Sequence, residues 1–218
     1  MSRKDQLQAS REKIDAIDDE VIALISRRAE LAKQIADLKR KEGAISYYRP
    51  EREAEVLRRV MTSNPGPLGN KEMAVLFRQI MSACLALEEP IKIAYLGPEG
   101  TFTQEATLKH FGQSVTTSPK LAIDEVFRDV EAESCDYGVV PVENSTEGII
   151  NQTLDSFIDS SLSICGEVEL PIHQHFLVGV NAQDTKITRV YSHSQSLAQC
   201  RHWLDANYPK IERIAVSS

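Results

Sequence analysis

Arg28 and Lys39 are two cations on one face of a long predicted helix. They stand eleven residues apart within the stretch LISRRAELAKQIADLK, residues 24–39. This is almost three helical turns, so their side chains project about 16 Å apart along the axis. Two long cationic side chains at this spacing can bind the two ends of a small dianion. Arg11 lies about 25 Å before Arg28 and is rotated by roughly 100°, so one helix cannot bring both to one small ligand. In an antiparallel dimer, the partner's Arg11 could complete the site.

The helix that carries these cations has one continuous apolar face. Residues 5–42 contain no proline or glycine, and at ~1.5 Å per residue they span roughly 55 Å. Apolar residues recur at steps of three, four or seven, and Ser10 and Arg28 are the interruptions. We call this face the seam: Leu7, Ile14, Ile17, Val21, Leu24, Leu31, Ile35 and Leu38. A small domain cannot cover so long a face, which predicts a dimer.

Two further helices are predicted before residue 90. One starts near Pro50, which suits a first helical turn, and SNPGPLG at 63–69 ends it. The other covers 71–89. Arg52 and Glu53 on the second helix, and Cys84 and Glu88 one turn apart on the third, could join the same site.

Periodicity alone leaves ordinary structural roles open for these charges. An arginine on an apolar face often pairs with a carboxylate or extends its stem to solvent. Lys39 could be one of several cations that favour a helix C-terminus.

From residue 91 the sequence changes to short apolar runs that alternate with helical stretches. Predicted strands are 91–97, 137–143, 163–170, 173–180 and 187–193; predicted helices are 101–111, 122–132, 146–158 and 196–208. This order favours a mainly parallel sheet, whose ligand sites lie at the carboxyl ends of the strands. We therefore expect two domains, 1–89 and 90–218.

Three motifs in the second half place polar groups between a strand and a helix. Exposed N–H groups and the helix dipole suit a carboxylate or phosphate there, although turn and N-cap roles are equally open. The motifs are IAYLGPEGTFTQEA with Thr101 and Thr103, VVPVENSTEG with Glu143, Asn144 and Ser145, and YSHSQSLAQC with Ser192 and Gln199.

Composition excludes several classes of protein. Residues 1–89 carry 16 Lys and Arg against 15 Asp and Glu, and residues 90–218 carry 9 against 17, so their net charges are +1 and −8. No basic stripe indicates a nucleic-acid partner, and no apolar run is long enough to cross a membrane. We expect a cytoplasmic protein. The four cysteines form no CxxC pair and predict no disulfide or zinc site; His173 and His175 could be metal ligands, but no third ligand is suggested.

The helical half resembles the all-helical chorismate mutase family. The likeness rests on ASREKIDAIDDEVIALISRRAELAKQIADLK followed by YRPERE, and covers nearly all of residues 5–89. It implies an intertwined dimer that converts chorismate to prephenate without a cofactor or metal. The substrate-binding residues that the resemblance implies are the partner's Arg11 together with Arg28, Lys39, Arg52 and Glu53. Lys39 would donate to the ether oxygen of chorismate, whose bond to the ring breaks, and Glu53 would orient the ring hydroxyl.

Two positions depart from the pattern of the best-known relatives. Arg49 stands where some relatives have an aspartate, and Glu88 stands where they have a glutamine that donates to the ether oxygen. An ionised carboxylate can only accept. We expect burial beside the substrate to raise the pKa of Glu88 so that its neutral form donates, which would increase mutase activity towards mild acidity.

The three motifs of the second half together resemble prephenate dehydratase. The resemblance implies two α/β lobes around a cleft, akin to periplasmic binding proteins, lined by Glu143, Asn144, Ser145, Ser192 and Gln199, with Thr101 and Thr103 nearby. It also implies a later Thr-Arg-Phe motif and a phenylalanine-binding ACT domain, and the 218 residues contain neither. The dehydratase half is thus expected to be incomplete, with little or no dehydratase activity and no phenylalanine feedback.

A non-enzymatic alternative is a helical dimerisation module fused to a small-molecule-binding α/β domain. Its weakness is that dimerisation does not require Arg28 and Lys39 on one face.

Overall fold

The computed structural model describes residues 3–41, 48–87, 90–144, 148–179 and 187–216. The chain divides into two compact units, which are described separately. The first comprises Met1–Val140 and Gln152–Glu169, and the second comprises Pro141–Asn151 and Leu170–Ser218.

The first unit begins with the three predicted helices. They are α1 at Arg3–Lys41, α2 at Pro50–Ser63 and α3 at Asn70–Ala86. Pro50 occupies the first turn of α2, as predicted, where its missing N–H costs no helical hydrogen bond. Between α2 and α3, the Asn64 side chain donates to the Leu68 carbonyl (2.8 Å) and to the Asn70 side chain (2.9 Å), which fixes the turn.

Helix α3 packs against both α1 and α2. The face that α1 turns to α3 is not the seam but a neighbouring stripe that includes Ile25 and Ala29. Ala36, two turns further along this stripe, is buried. All eight side chains of the seam stay exposed, with 45–60% of their surface accessible. Within one chain, the described residues therefore leave the longest apolar face of this half uncovered.

The α/β part of the first unit is built on a three-stranded parallel sheet. The strands are β1 at Lys92–Leu96, β2 at Thr116–Lys120 and β3 at Tyr137–Val139, in the order β2-β1-β3. Helix α4 at Phe102–Phe111 connects β1 to β2, helix α5 at Ile123–Glu131 connects β2 to β3, and both contact β1. The core lies at the central strand, where Ile93, Ala94 and Tyr95 are completely buried.

Helix α3 and the segment after α4 are joined by hydrogen bonds. The backbone N–H of Gln113 donates to the Gln79 side chain (3.0 Å), and that of Ser114 donates to the Ser82 hydroxyl (3.3 Å). The helices and the first sheet thus belong to the same compact unit.

The second unit contains two small two-stranded sheets. Strand β4 at Glu143–Asn144 runs antiparallel to β5 at Gly148–Ile149, and β6 at Arg189–Ser192 runs parallel to β7 at Glu212–Ala215. Helices α7 at Ser194–Gln199 and α8 at Arg201–Asn207 follow β6, while α6 at Asn151–Asp159 starts at the end of this unit's first segment.

The α/β fold class is confirmed, but several element predictions are wrong. The described parts of 163–170 and 173–180 have no strand, because alternating apolar residues form a strand only when a neighbouring strand accepts their hydrogen bonds. The predicted helix 146–158 begins only at Asn151, after β5, and the predicted helix 196–208 is divided at Cys200. The predicted strand 137–143 is divided into β3 and β4.

Strands β2, β5 and β7 were not predicted from the sequence. Strand β2 reads TTSPK, and its proline is tolerated because the strand lies at the edge of its sheet. No described helix is long and apolar enough to cross a membrane.

Candidate functional site

Arg28 and Lys39 are both half-buried on α1, whereas Arg11 is exposed. Beside Arg28 lies a groove between α1 and α3, lined on the α1 side by Ile25 and Ala29. Cys84, 3% exposed, lines the same groove from α3. An apolar groove next to a cation lowers the local dielectric, so an anion bound there would interact strongly with Arg28.

Glu53 lies on α2 and faces α3. Arg78 Nε donates to Glu53 Oε1 at 3.1 Å, and the two side chains are only 26% and 16% exposed, respectively. Tyr48, just ahead of α2, donates a second hydrogen bond to the Glu53 carboxylate; burial, followed by Glu53, raises the pKa of this tyrosine well above its usual range. Glu53 is therefore a fixed carboxylate that keeps unused acceptor capacity.

Arg52, the neighbour of Glu53, points to a different partner. Its Nη1 donates to Glu55 one turn later at 2.5 Å, and both side chains are more than half exposed. Exposed pairs of this kind contribute little to stability, so Arg52 can exchange Glu55 for an anionic ligand at low cost.

The predicted mutase residues whose surroundings are described lie in two separate places of the helical region. Cys84 lies beside α1 near Arg28, and Glu53 is bonded to Arg78. Among the described residues, no ion pair links Arg11 or Arg28 to a carboxylate. Glu88 lies outside the described residues.

Thr101 and Thr103 stand at the start of α4, as the first anion motif predicts. Thr101 is the N-cap residue; its hydroxyl donates to the Leu96 carbonyl at 3.3 Å and makes no capping bond. Gly100 has a φ of +83°, which favours glycine, and its N–H donates to the Gln104 side chain at 2.7 Å. The first N–H groups of α4 thus have no capping side chain from Thr101.

In the second unit, the structure brings Asn144 and Gln199 together. Gln199 Nε2 lies 3.5 Å from Asn144 Oδ1, although 55 positions separate them in the chain. Gln174 Nε2 donates to Gln199 Oε1 at 2.9 Å. The result is a row of three side-chain amides, a group of donors and acceptors that suits a carboxylate or hydroxyl ligand.

The other predicted residues of this unit are close in sequence to Asn144 or Gln199. Ser192 is the half-buried last residue of β6, Glu143 is exposed on β4, and Ser145 lies outside the described residues. His193 caps α7 by accepting the N–H of Gln195 at 3.4 Å, which is a structural role. His173 and His175 are exposed, and the described residues hold no group of three or more potential metal ligands.

Sequence reasoning missed Tyr48, Arg78 and Gln174, which contact the predicted site residues Glu53 and Gln199. The signal for Tyr48 and Gln174 was present, because Tyr48 lies inside YRPERE and Gln174 lies between His173 and His175. Arg78 gave no signal, since its contact with Glu53 depends on how α2 and α3 pack.

Comparisons with known proteins match both halves. Residues 10–89 match the family chorismate mutase type II, and residues 93–218 match the family prephenate dehydratase. Proteins named bifunctional chorismate mutase/prephenate dehydratase from Stutzerimonas stutzeri and Pseudomonas aeruginosa are each 60% identical over 100% of this chain. The chain spans 61% of the length of each.

A solved chorismate mutase from Thermus thermophilus is 36% identical over 38% of this chain and 94% of its own, with a TM-score of 0.37. The family matches confirm both resemblances that the motifs indicated, and the dehydratase match covers more than half of the 218 residues. The chain therefore belongs to the prephenate dehydratase family and carries a chorismate mutase type II domain ahead of the dehydratase domain.

Proposed function

We propose that residues 1–89 convert chorismate to prephenate. The observation that carries the proposal is the placement of two half-buried cations on α1: Arg28, next in sequence to the apolar groove that Cys84 lines, and Lys39, about three turns further along the same helix face. It is supported by the family match of residues 10–89 and by the names of the relatives.

The rearrangement is pericyclic, so it needs neither a nucleophile nor a proton acceptor. Catalysis then comes from holding the reactive diaxial conformer and from stabilising negative charge on the breaking ether oxygen. Arg28 and the partner's Arg11 bind the substrate carboxylates, and Arg52 adds a further cation. Lys39 donates to the ether oxygen, Glu53 accepts from the ring hydroxyl, and Cys84 packs against the ring.

Glu88 is the proposed second donor to the ether oxygen, in its neutral form. The proposal rests on the replacement of glutamine at this position of the family pattern. If it is right, mutase activity rises towards mild acidity and Glu88→Gln abolishes this dependence; a profile that Glu88→Gln leaves unchanged contradicts it.

The active form is proposed to be a homodimer built on the seam. Each of its eight side chains is about half exposed in one chain, so covering it contributes about 1 kcal/mol. Two copies together gain roughly 10 to 20 kcal/mol, which can exceed the 4 to 15 kcal/mol that association costs. The same dimer would bring the partner's Arg11 to a site that one helix cannot complete.

For residues 90–218, the proposed ligand is prephenate, the product of the first reaction. The supporting observation is the amide row of Asn144, Gln199 and Gln174 within the second unit. Glu143, Ser145 and Ser192 are proposed to contribute to the same substrate site, as the family resemblance implies. The cytoplasmic location stays a prediction.

The test is chorismate consumption by the purified chain, followed through loss of the diene absorbance. Because prephenate has the same mass as chorismate, the product is identified by proton NMR. Turnover far above the uncatalysed rate is the expected result. A folded dimer that leaves chorismate unchanged would instead support the non-enzymatic dimerisation module.

A further inference from the structure

The guanidinium of Arg78, next to the proposed mutase residue Glu53, is held by two hydrogen bonds. Its Nε donates to Glu53 Oε1 at 3.1 Å, and its Nη1 approaches the carbonyl oxygen of Lys109, at the end of α4, at 3.4 Å. A guanidinium held at two points has little rotational freedom left. The position of the Glu53 carboxylate is therefore set from α3 and α4 as well as from its own helix.

Tyr48 fixes the same carboxylate from another side. Its ring packs against Phe111 (5.7 Å between centroids) and edge-on against Tyr137 (5.4 Å). Both aromatic partners lie in the α/β part of the first unit, on α4 and β3. The phenol hydroxyl reaches Glu53 from this packed ring, so the second donor is also held rigidly.

We infer that Arg78 and Tyr48 are positioning residues of the mutase site, which hold the Glu53 carboxylate ready to accept the ring hydroxyl of the substrate. The inference rests on the proposed function, because it requires Glu53 to bind that hydroxyl. A carboxylate offers about four lone-pair sites. Two are used by Arg78 and Tyr48, and acceptor capacity remains for the substrate.

A second consequence is that the supports of Glu53 come partly from residues beyond 90. Lys109, Phe111 and Tyr137 hold Arg78 and Tyr48 but lie in the dehydratase match. A site whose first contacts are kept in place by a supporting layer loses activity when that layer is loosened, even by about 1 Å.

The test is a double-mutant cycle on mutase kcat/KM in the full 218-residue chain. Glu53→Gln and Arg78→Met are each expected to lower kcat/KM about 10- to 100-fold. Residues that act as a unit have non-additive effects, so the double variant should lose no more than the worse single variant. Arg78→Lys should recover part of the activity, since it restores the charge without the planar fork.

Tyr48→Phe removes one of two donors and keeps the packed ring, so a loss of about 2- to 5-fold is expected. The matched control is Arg128→Met, which breaks an exposed arginine–carboxylate pair with Asp124 (2.9 Å) elsewhere in the first unit. It should leave kcat/KM unchanged. Thermal unfolding of each variant shows whether the fold is kept.

The outcomes separate this inference from the proposed function. The positioning role alone would be overturned by either of two results. The first is that the fold-losses of kcat/KM in the single variants multiply in the double variant, and the second is that Arg78→Met is fully active while Glu53→Gln is impaired. Full activity of Glu53→Gln would overturn it together with the proposed role of Glu53.

Discussion

Strand β1 and helix α1 both present large apolar side chains, but the chain covers only one of them. Ile93 and Tyr95 on β1 have no accessible surface, whereas the side chains of the seam are 45–60% exposed. Strand β1 has a strand on each side, and helices α4 and α5 contact it. Helix α1 has α3 against a neighbouring stripe and nothing among the described residues against its seam.

The difference shows what each region needs in order to be stable. The α/β core completes itself from nearby segments, so its apolar pattern is satisfied within one chain. The helical region has an apolar pattern that is too long for its own chain to cover. In our account a second copy covers it, and the same contact places the partner's Arg11 at the substrate site.

The largest effect is expected from a substitution that places a charge in the seam. Leu24→Glu would place two carboxylates in the dimer interface, at a cost of several kcal/mol each, so we expect a monomer with an intact α/β region. Light scattering after size exclusion measures the mass. Ser26→Glu introduces the same carboxylate at an exposed position on the opposite face of α1 and should remain dimeric; dissociation of both variants, or of neither, would contradict the seam as the interface.

Arg28→Ala tests whether the charge in the seam serves catalysis. Truncating a desolvated partner of a charged ligand costs about 3 to 4 kcal/mol, so kcat/KM should fall by about 10² to 10³ while the mass stays dimeric. Steady-state chorismate assays measure the loss. Arg27→Ala, on the exposed neighbouring residue, is the control and should retain normal activity, and equal losses in the two would argue against a specific role for Arg28.

Gly138→Ala tests the self-sufficient region. A Cβ on Gly138 would lie 2.8 Å from Val126 Cγ1 and 3.2 Å from Val130 Cγ2, and overpacking of this kind costs about 1 to 3 kcal/mol. We expect the midpoint of thermal unfolding to fall by about 3 to 10 °C without loss of the dimer. Gly179, where an added Cβ meets nothing within 4 Å, provides the control: Gly179→Ala should unfold like the parent.

The smallest expected effect is a pH dependence at His110, where the helices meet the α/β region. Burial lowers the pKa of His110; nearby Glu53 raises it and Arg78 lowers it further. The unfolded chain therefore binds the proton more readily, and stability is lost as the pH falls below about 6.5. His110→Gln should flatten this loss in denaturant titrations between about pH 7 and 5, while His202→Gln, on an exposed helix position, should not.

Local sequence signals predicted elements whose partners are near in the chain. Pro50 and the unbroken periodicity of α1 gave the helices, and the run around Ile93 gave the buried strand. Strand β2 was missed because its TTSPK sequence has no strand pattern, and only pairing with β1 makes it one. The pattern at 163–170 had the opposite fault: it alternates, yet the structure gives it no strand partner.

The candidate site follows the same rule. Motif positions such as Thr101 and Asn144 could be named from the sequence because they belong to strand ends or helix starts. Arg78 and Gln174 could not, since their contacts with Glu53 and Gln199 span 25 positions each and arise only from tertiary packing.

The most direct test of the shared site combines two inactive variants. Arg11→Ala and Arg28→Ala chains are co-expressed with different affinity tags, and the mixed dimer is purified through both tags. One of its two sites then has an intact Arg28 and the partner's intact Arg11, whereas the other site lacks both. We therefore expect about half of the activity of the unmodified dimer, although each variant alone is inactive. A mixed dimer as inactive as either variant alone would contradict a site completed by the partner chain.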